Sequence, residues 1–128
     1  MKLILAIIRI AKMSDTKQAL AEVGLPSFTA MPVLGRGKGH GDLEKLKAAS
    51  QAPQAEAEDL IEYLPVMPSL KSKRMITLVV TDEKKDLAVE TLIKANQTAK
   101  SGDGKIFVVN TLDSYTVHTG ISGDASLD

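Results

Sequence analysis

The sequence predicts an α+β fold of the ferredoxin-like type, a sandwich with elements in the order βαββαβ. Two observations support this prediction. Apolar, β-rich segments occur at residues 3–8, 75–80 and 106–109, and two segments between strands space their apolar residues as helices do. In this order, two helices cover one face of a four-stranded sheet. The 128 residues suffice for one domain, 1–128, with a single core.

The first predicted strand, Leu3 to Ile8, is apolar at every position. Such a run is typical of a strand with both faces covered. Because the run is short and Arg9 ends it, we interpret it as a buried strand. A secretory signal or a membrane span would need a longer apolar segment.

Residues 15–23 predict a short amphipathic helix, because its apolar residues share one stripe. Ser14 or Asp15 would cap the start of this helix, and Gly24 would end it. Residues 28–34 alternate in the manner of a second strand. The apolar stripe of the helix comprises Ala19, Leu20 and Val23.

The second half of the chain predicts a strand at 75–80, a helix at 84–96 and a third buried strand at 106–109. A short further strand is expected at 115–118, and a frayed tail at 121–128. The apolar stripe of the second helix comprises Leu87, Ala88, Thr91, Leu92 and Ala95.

Residues 38–72 connect the second and third strands and contain no core-forming strand. A connection of this length inside a compact domain is usually functional or disordered. We interpret it as an extended mobile loop that folds onto a partner. The alternative is a solvated loop with transient helix.

The faces of the predicted sheet indicate a homo-oligomer. Two helices can cover only one face, whereas three of the predicted strands are apolar on both faces. Something else must therefore cover the second face. For so short a chain, we expect this cover to be other copies of the chain, with their sheets facing inwards.

Composition and charge exclude several classes of function. Sixteen Lys and Arg residues balance sixteen Asp and Glu residues, so phosphate attraction does not favour a nucleic-acid partner. The absence of Cys excludes thiolate catalysis and Cys-based zinc sites, and it suits a cytoplasmic location. His40 and His118 lie far apart in the sequence. We therefore expect neither catalytic residues nor a metal site.

Two glycine-rich segments carry the candidate binding chemistry. Gly35-Arg36-Gly37-Lys38-Gly39 follows the second strand, and Gly102-Asp103-Gly104-Lys105 precedes the last one. Glycines let a backbone approach a ligand closely, and exposed N–H groups beside cations favour an anion. On these residues alone, a phosphate-binding cleft and two ordinary turns are both open interpretations.

Several motifs together resemble the PII signal-transduction family. They are Ala19-Leu20-Ala21-Glu22-Val23-Gly24, Thr29, Gly35-x-Gly37, Lys38-Gly39-His40, the run from Gln97 to Val108, and Thr119-Gly120. The resemblance covers nearly the whole chain except residues 41–70. The segment at 26–38, the long loop and Lys73-Arg74-Met75-Ile76 are similar to the nitrogenase-associated branch of that family.

The resemblance implies a homotrimer that binds ATP or ADP, with AMP as a further candidate, in the clefts between subunits. It also implies that residues 38–72 form the family's T-loop, which contacts a target protein. That target would be nitrogenase or another nitrogen-related enzyme or transporter. The implied protein is a cytoplasmic regulator with no enzymatic activity, no nucleic-acid partner and no membrane insertion.

Carried over residue by residue, the resemblance implies a nucleotide site in three parts. The base and ribose would contact Ile7, Thr29, Lys73 and Val79. The base of the T-loop, beside the nucleotide, would supply Gly35 and Gly37 together with the cations Arg36 and Lys38. The phosphates would contact the family's B-loop, formed by Gly102, Asp103, Gly104 and Lys105.

Two departures from the family pattern bear on the ligand. The glutamine that helps to place Mg and 2-oxoglutarate has no counterpart after Gly37, which argues against both. Thr116 and His118 stand where the family's Arg-x-Arg brings positive charge from a neighbouring subunit. Because charge-assisted hydrogen bonds are worth about 1.5–3 kcal/mol each, their loss should weaken triphosphate binding. His118 would restore positive charge only at low pH. The alternative is a diverged PII-like trimer with a different ligand, or none, that regulates another pathway.

Overall fold

A computed structural model describes residues 1–37 and 70–128, and these ranges carry the predicted order of elements. The strands are β1, Lys2–Ile8; β2, Thr29–Gly35; β3, Lys71–Val80; and β4, Lys105–Asn110. The helices are α1, Met13–Glu22, and α2, Lys85–Asn96. Short 3₁₀ turns precede both helices. The βαββαβ prediction is therefore confirmed.

The four strands form one antiparallel sheet in the order β2-β3-β1-β4. The first strand is central and pairs on both sides, so that Leu3 lies opposite Val79, and Ile7 lies opposite Met75 and Lys105. This order is that of a ferredoxin-like sheet and confirms the predicted fold class.

The hydrophobic core lies between the sheet and the two helices. Alternate residues of β1 and β3 point towards the helices and are almost completely buried, as the two-residue period of a strand requires. The core comprises Ile4, Ala6, Ile8, Leu20, Leu25, Ile76, Leu78, Val80, Ala88 and Leu92.

The ends of α1 confirm one predicted signal and correct another. Gly24 has a φ of +80°, and its N–H donates to the carbonyl of Ala21 while that of Leu25 donates to Leu20. This pair of hydrogen bonds is a Schellman motif, so Gly24 does end the helix. The predicted N-cap is wrong: a 3₁₀ turn leads into the helix at Met13, which places Ser14 and Asp15 inside its first turn.

The buried stripe of α2 differs from the prediction by one position at its start. Leu87 was expected in the core, but it is 40% exposed. The buried residues are Ala88, Leu92 and Asn96. The Asn96 amide donates to Thr16 on α1 at 3.0 Å. A polar bridge between the helices thus extends the stripe that was predicted from apolar residues alone.

Within residues 1–37 and 70–128, neither helix covers the second face of the sheet, which is called the uncovered face below. Leu3, Leu5 and Ile7 point away from the helices and are half-buried. The last strand was expected to be buried, but its Phe107 and Val109 are 47% and 45% exposed. The reason is that β4 is an edge strand with one neighbour in the sheet. An apolar face of this kind is the feature from which an oligomer was predicted.

The segment after β4 corrects two further expectations. The short strand expected at 115–118 is absent, and a single bridge joins Tyr115 to Ser122. The segment 121–128 is not frayed. It contains a 3₁₀ helix at Gly123–Ser126, and the Ser126 hydroxyl donates to the carbonyl of Ser114 at 3.0 Å. Backbone hydrogen bonds of a tight turn replace those of the expected strand.

The chain forms two compact units, one of residues 1–33 and 73–128 and one of residues 34–72. The described residues of the second unit are the end of β2, the start of β3 and residues 36, 37 and 70. Most of the predicted loop at 38–72, including Lys38, lies outside the described residues. Neither α1 nor α2, the α-helices of the described ranges, has the length and apolar character of a membrane span.

Candidate functional site

The turn at Gly102–Lys105 is pressed against the end of β1. Gly104 has a φ of +116°, and a side chain there would collide with the backbone carbonyl of Ile7. Gly102 also has a positive φ, +91°. Both positions therefore require glycine for steric reasons. The turn thus brings its backbone directly beside Ile7, one of the residues predicted to contact the nucleotide.

The side chain of Asp103 holds the turn in shape from the inside. Its carboxylate accepts hydrogen bonds from the backbone N–H of Thr98 at 2.8 Å and from the Thr98 hydroxyl. It also forms an ion pair with the guanidinium of Arg9, which donates in addition to the carbonyl of Ser101 at 2.9 Å. The carboxylate therefore stabilises the turn through contacts with Thr98 and Arg9 of the same chain.

This anchoring changes the acidity of Asp103. The hydroxyl and the backbone N–H of Thr98 hold the pKa of Asp103 well below its usual range, and Arg9 lowers it further, while partial desolvation opposes the shift. Hydrogen bonds that favour the charged form act in this direction. The carboxylate consequently stays ionised and keeps Arg9 bound across the physiological range.

Positive charge surrounds the turn. The ammonium of Lys73, on β3, donates to the carbonyl of Gly102 at 2.9 Å. A Cβ placed on Gly102 would lie 3.4 Å from the Arg9 guanidinium. Lys100 and Lys105 flank the turn in the chain and are exposed. Among the described residues, these four cationic side chains and the single carboxylate of Asp103 make the environment of the turn favourable for an anion.

A strip of the uncovered sheet face leads from the turn to a cavity. Ile7 lies at the turn end of the strip, and Val79 lies at the other end, opposite Leu3. At that end, a cavity of about 300 Å³ is lined by Thr29 and Val79 among others. The strip therefore brings together Ile7, Lys73, Val79 and the whole Gly102–Lys105 turn, and its cavity adds Thr29.

The other described site residues that were predicted belong either to the unit of residues 34–72 or to the segment after β4. Gly35 ends β2, and Arg36 and Gly37 follow it, exposed, in the unit of residues 34–72. Thr116 begins a turn in which its carbonyl accepts from the N–H of Gly120 at 2.7 Å. His118 is exposed within the same turn.

Sequence reasoning missed Arg9 and Thr98, which fix the turn. The signal for Arg9 was present, because it is a lone cation at the end of a wholly apolar strand. Thr98 carried no comparable signal. Its role depends on a reversal of the chain, which brings Asp103 back to Thr98 five residues later.

Comparison with known proteins gives matches over almost the entire chain. The family model described as "Nitrogen regulatory protein P-II" matches residues 1–121. The "Nitrogen fixation nifHD region GlnB-like protein 2" of Methanothermobacter marburgensis is 39% identical over 99% of this chain and 100% of its own length. A similarly named nifHD1-region protein of Methanosarcina barkeri is 39% identical over 99% of each chain. The "Nitrogen regulatory protein P-II" of Klebsiella oxytoca is 39% identical over 99% of this chain and 100% of its own length. These matches confirm the resemblance predicted from the motifs, and the archaeal names agree with its nitrogenase-associated branch.

The anchoring of Asp103 predicts a pH dependence of stability. Because its pKa in the folded state lies below the ordinary 3.8, the carboxylate stabilises the fold above that pH. This contribution is lost as the pH falls towards the folded-state pKa. Between about pH 4 and pH 2, the free energy of unfolding should fall more steeply in the wild type than in Asp103→Asn. Urea denaturation at stepped pH measures this, with Asp15→Asn as the control for removal of one carboxylate. Parallel curves for the wild type and Asp103→Asn would contradict the anchoring role.

Proposed function

Since the chain belongs to the nitrogen regulatory protein P-II family, we propose that it is a cytoplasmic, non-enzymatic regulator that binds an adenine nucleotide, ATP or ADP. Members of this family are signal-transduction regulators of nitrogen metabolism. The proposed target is nitrogenase or another nitrogen-metabolism enzyme or transporter. The archaeal relatives named for a nitrogen fixation region support this choice.

The observation that carries the proposal is the spacing between the turn and the cavity. Lys105 is level with Ile7, and Val79 is level with Leu3, four residues away along β1. At about 3.3 Å per strand residue, the two ends lie about 13 Å apart. This separation is comparable to the extended length of a nucleoside diphosphate. The phosphates would lie at the turn, and the base at the cavity.

The turn would bind phosphates through two kinds of group. Backbone N–H groups of a tight glycine turn point outwards together and favour an anion. The Lys105 ammonium would add a charge-assisted hydrogen bond. Asp103 would not repel the phosphates strongly, because its carboxylate is neutralised by Arg9. The N–H groups are thus held in position before the ligand arrives.

Lys73 gives the site a direct link to the proposed T-loop. Its ammonium donates to the carbonyl of Gly102, and it follows residues 38–72 immediately in the chain. A phosphate at the turn would compete with this carbonyl for the ammonium. The start of β3 would respond to the ligand, and residues 38–72 would transmit the change to the target protein.

The uncovered sheet face supports assembly with further copies of the chain, and the family's members are trimers. Half-buried residues of β1 and exposed residues of β4 form an apolar surface that includes Leu3, Leu5, Phe107 and Val109. Copies of the chain that pack these faces together would remove this surface from water. In such an assembly, the strip between the turn and the cavity would lie at a cleft between subunits.

A second candidate function is a diverged PII-like trimer that binds a different ligand, or none, and regulates another pathway. Thr116 and His118, in place of the family's two arginines, favour it. Calorimetry with ATP, ADP and AMP separates the two proposals. Heat of binding with any of these nucleotides supports the first, and its absence with all three supports the second.

The trimer proposal predicts the effect of a charge on the uncovered face. Phe107→Glu should convert a trimer into monomers, because a carboxylate would be buried without a partner. Size-exclusion chromatography with light scattering measures the mass. Leu87→Glu, at a similarly exposed apolar position on α2, should leave the trimer intact. A monomeric wild type, or a trimeric Phe107→Glu, would contradict the proposal.

The phosphate proposal predicts a loss of affinity in Lys105→Ala. One charge-assisted hydrogen bond corresponds to a loss of at least about tenfold in the dissociation constant for ADP. Isothermal titration calorimetry measures this, with the exposed Lys17→Ala on α1 as the control. The mass of the assembly should be unchanged. An unaltered ADP affinity would exclude the turn as the phosphate site.

The target proposal predicts that deletion of residues 42–70 separates two activities. The variant should keep its circular dichroism spectrum and its ADP affinity, since the core and the turn are outside the deletion. It should lose binding to purified nitrogenase or the alternative target, measured by surface plasmon resonance. A variant that unfolds would show that these residues belong to the core.

A further inference from the structure

We infer that residues 126–128 form the outer wall of the cavity beside Val79, and that this wall admits the uncharged base of a nucleotide and excludes its phosphates. The inference rests on the proposed nucleotide binding and deepens it. It assigns ligand contacts to a segment whose sequence predicts only a tail.

Two parts of the chain line the cavity. Thr29 and Val79 belong to strands of the sheet, whereas Ser126, Leu127 and Asp128 belong to the segment that follows β4. Its volume of about 300 Å³ is at the lower end of the range for small-molecule sites, and it suits a single heterocycle. The segment therefore leaves space for a ligand and forms a wall around that space.

Hydrogen bonds hold the wall in place at both ends. The Ser27 hydroxyl, at the entry to β2, donates to the carboxylate of Asp128. At the other end, the Ser126 hydroxyl donates to the carbonyl of Ser114 at 3.0 Å and to that of Gly123 at 2.7 Å. Leu127, between these anchors, is half-buried.

The chemistry of the lining selects the end of the ligand that enters. Leu3, Phe28 and Leu127 supply apolar surface for the flat face of a heterocycle. The Asp128 carboxylate disfavours an anion, since a like charge at short range is costly. At the opposite end of the strip, the cationic side chains around the turn favour an anion. These two ends of opposite preference orient the nucleotide with its base towards the wall.

The test compares a ligand that has a base with one that has none. The dissociation constant of ADP is measured by calorimetry, and that of inorganic pyrophosphate by displacement of bound ADP. Leu127→Ala and deletion of residues 126–128 should each raise the dissociation constant of ADP by about three- to tenfold, because apolar contact with the base is lost. Both variants should leave that of pyrophosphate unchanged. Val117→Ala, at a 99% exposed position in the turn at residues 116–120, is the matched control.

The outcomes distinguish this inference from the proposed function. Lys105→Ala should lower the affinity for both ADP and pyrophosphate, because both ligands contact the turn. Suppose that the wild type binds ADP and that Lys105→Ala weakens ADP binding, while Leu127→Ala and the deletion leave it unchanged. The proposed base contact of residues 126–128 would then be wrong, and the proposed nucleotide site would be retained. An equal loss of affinity for ADP and for pyrophosphate in Leu127→Ala and in the deletion would also overturn the inference. A wild type that binds no ADP would overturn the proposed function itself.

Discussion

The close approach of the Gly102–Lys105 turn to the end of β1 is the constraint on which the rest of the site depends. Gly104 must lack a side chain because the carbonyl of Ile7 occupies that space. Arg9, immediately after β1, fixes the turn through Asp103. The central strand therefore positions both the apolar strip and the anion-favouring turn beside it. A small displacement of either would separate two features that a nucleotide must contact at once.

The same strand contributes to the core and to the uncovered face, which links stability to assembly. One set of its side chains packs against the helices, and the alternate set, Leu3, Leu5 and Ile7, faces away from them. The second set is half-buried although neither α1 nor α2 lies over it. Covering this face with further copies of the chain would place the ligand strip at a boundary between subunits. Ligand binding and subunit packing would then share residues, which is a physical basis for coupling between sites.

The sequence was sufficient to predict the order of elements, because β1, β3 and the helices carry strong periodic signals. It also identified Gly102 to Lys105 as a turn. It could not assign Asp103 to a structural role, since that role depends on Arg9 and Thr98, which the chain brings in from two directions. Leu87 was misplaced for a similar reason: apolar spacing indicates a stripe but not its exact centre. The segment 121–128 appeared frayed because its order comes from hydrogen bonds to Ser114 and Ser27, which no local pattern reveals.

In the proposed nucleotide complex, the backbone of the turn itself receives the phosphates. The most direct measurement is a titration of the isotopically labelled protein with ADP, followed through the backbone amide resonances by NMR. We expect the amide resonances of Gly102, Asp103, Gly104 and Lys105 to shift together and to saturate at the affinity measured by calorimetry. ADP binding that leaves these four resonances in place while others move would contradict it.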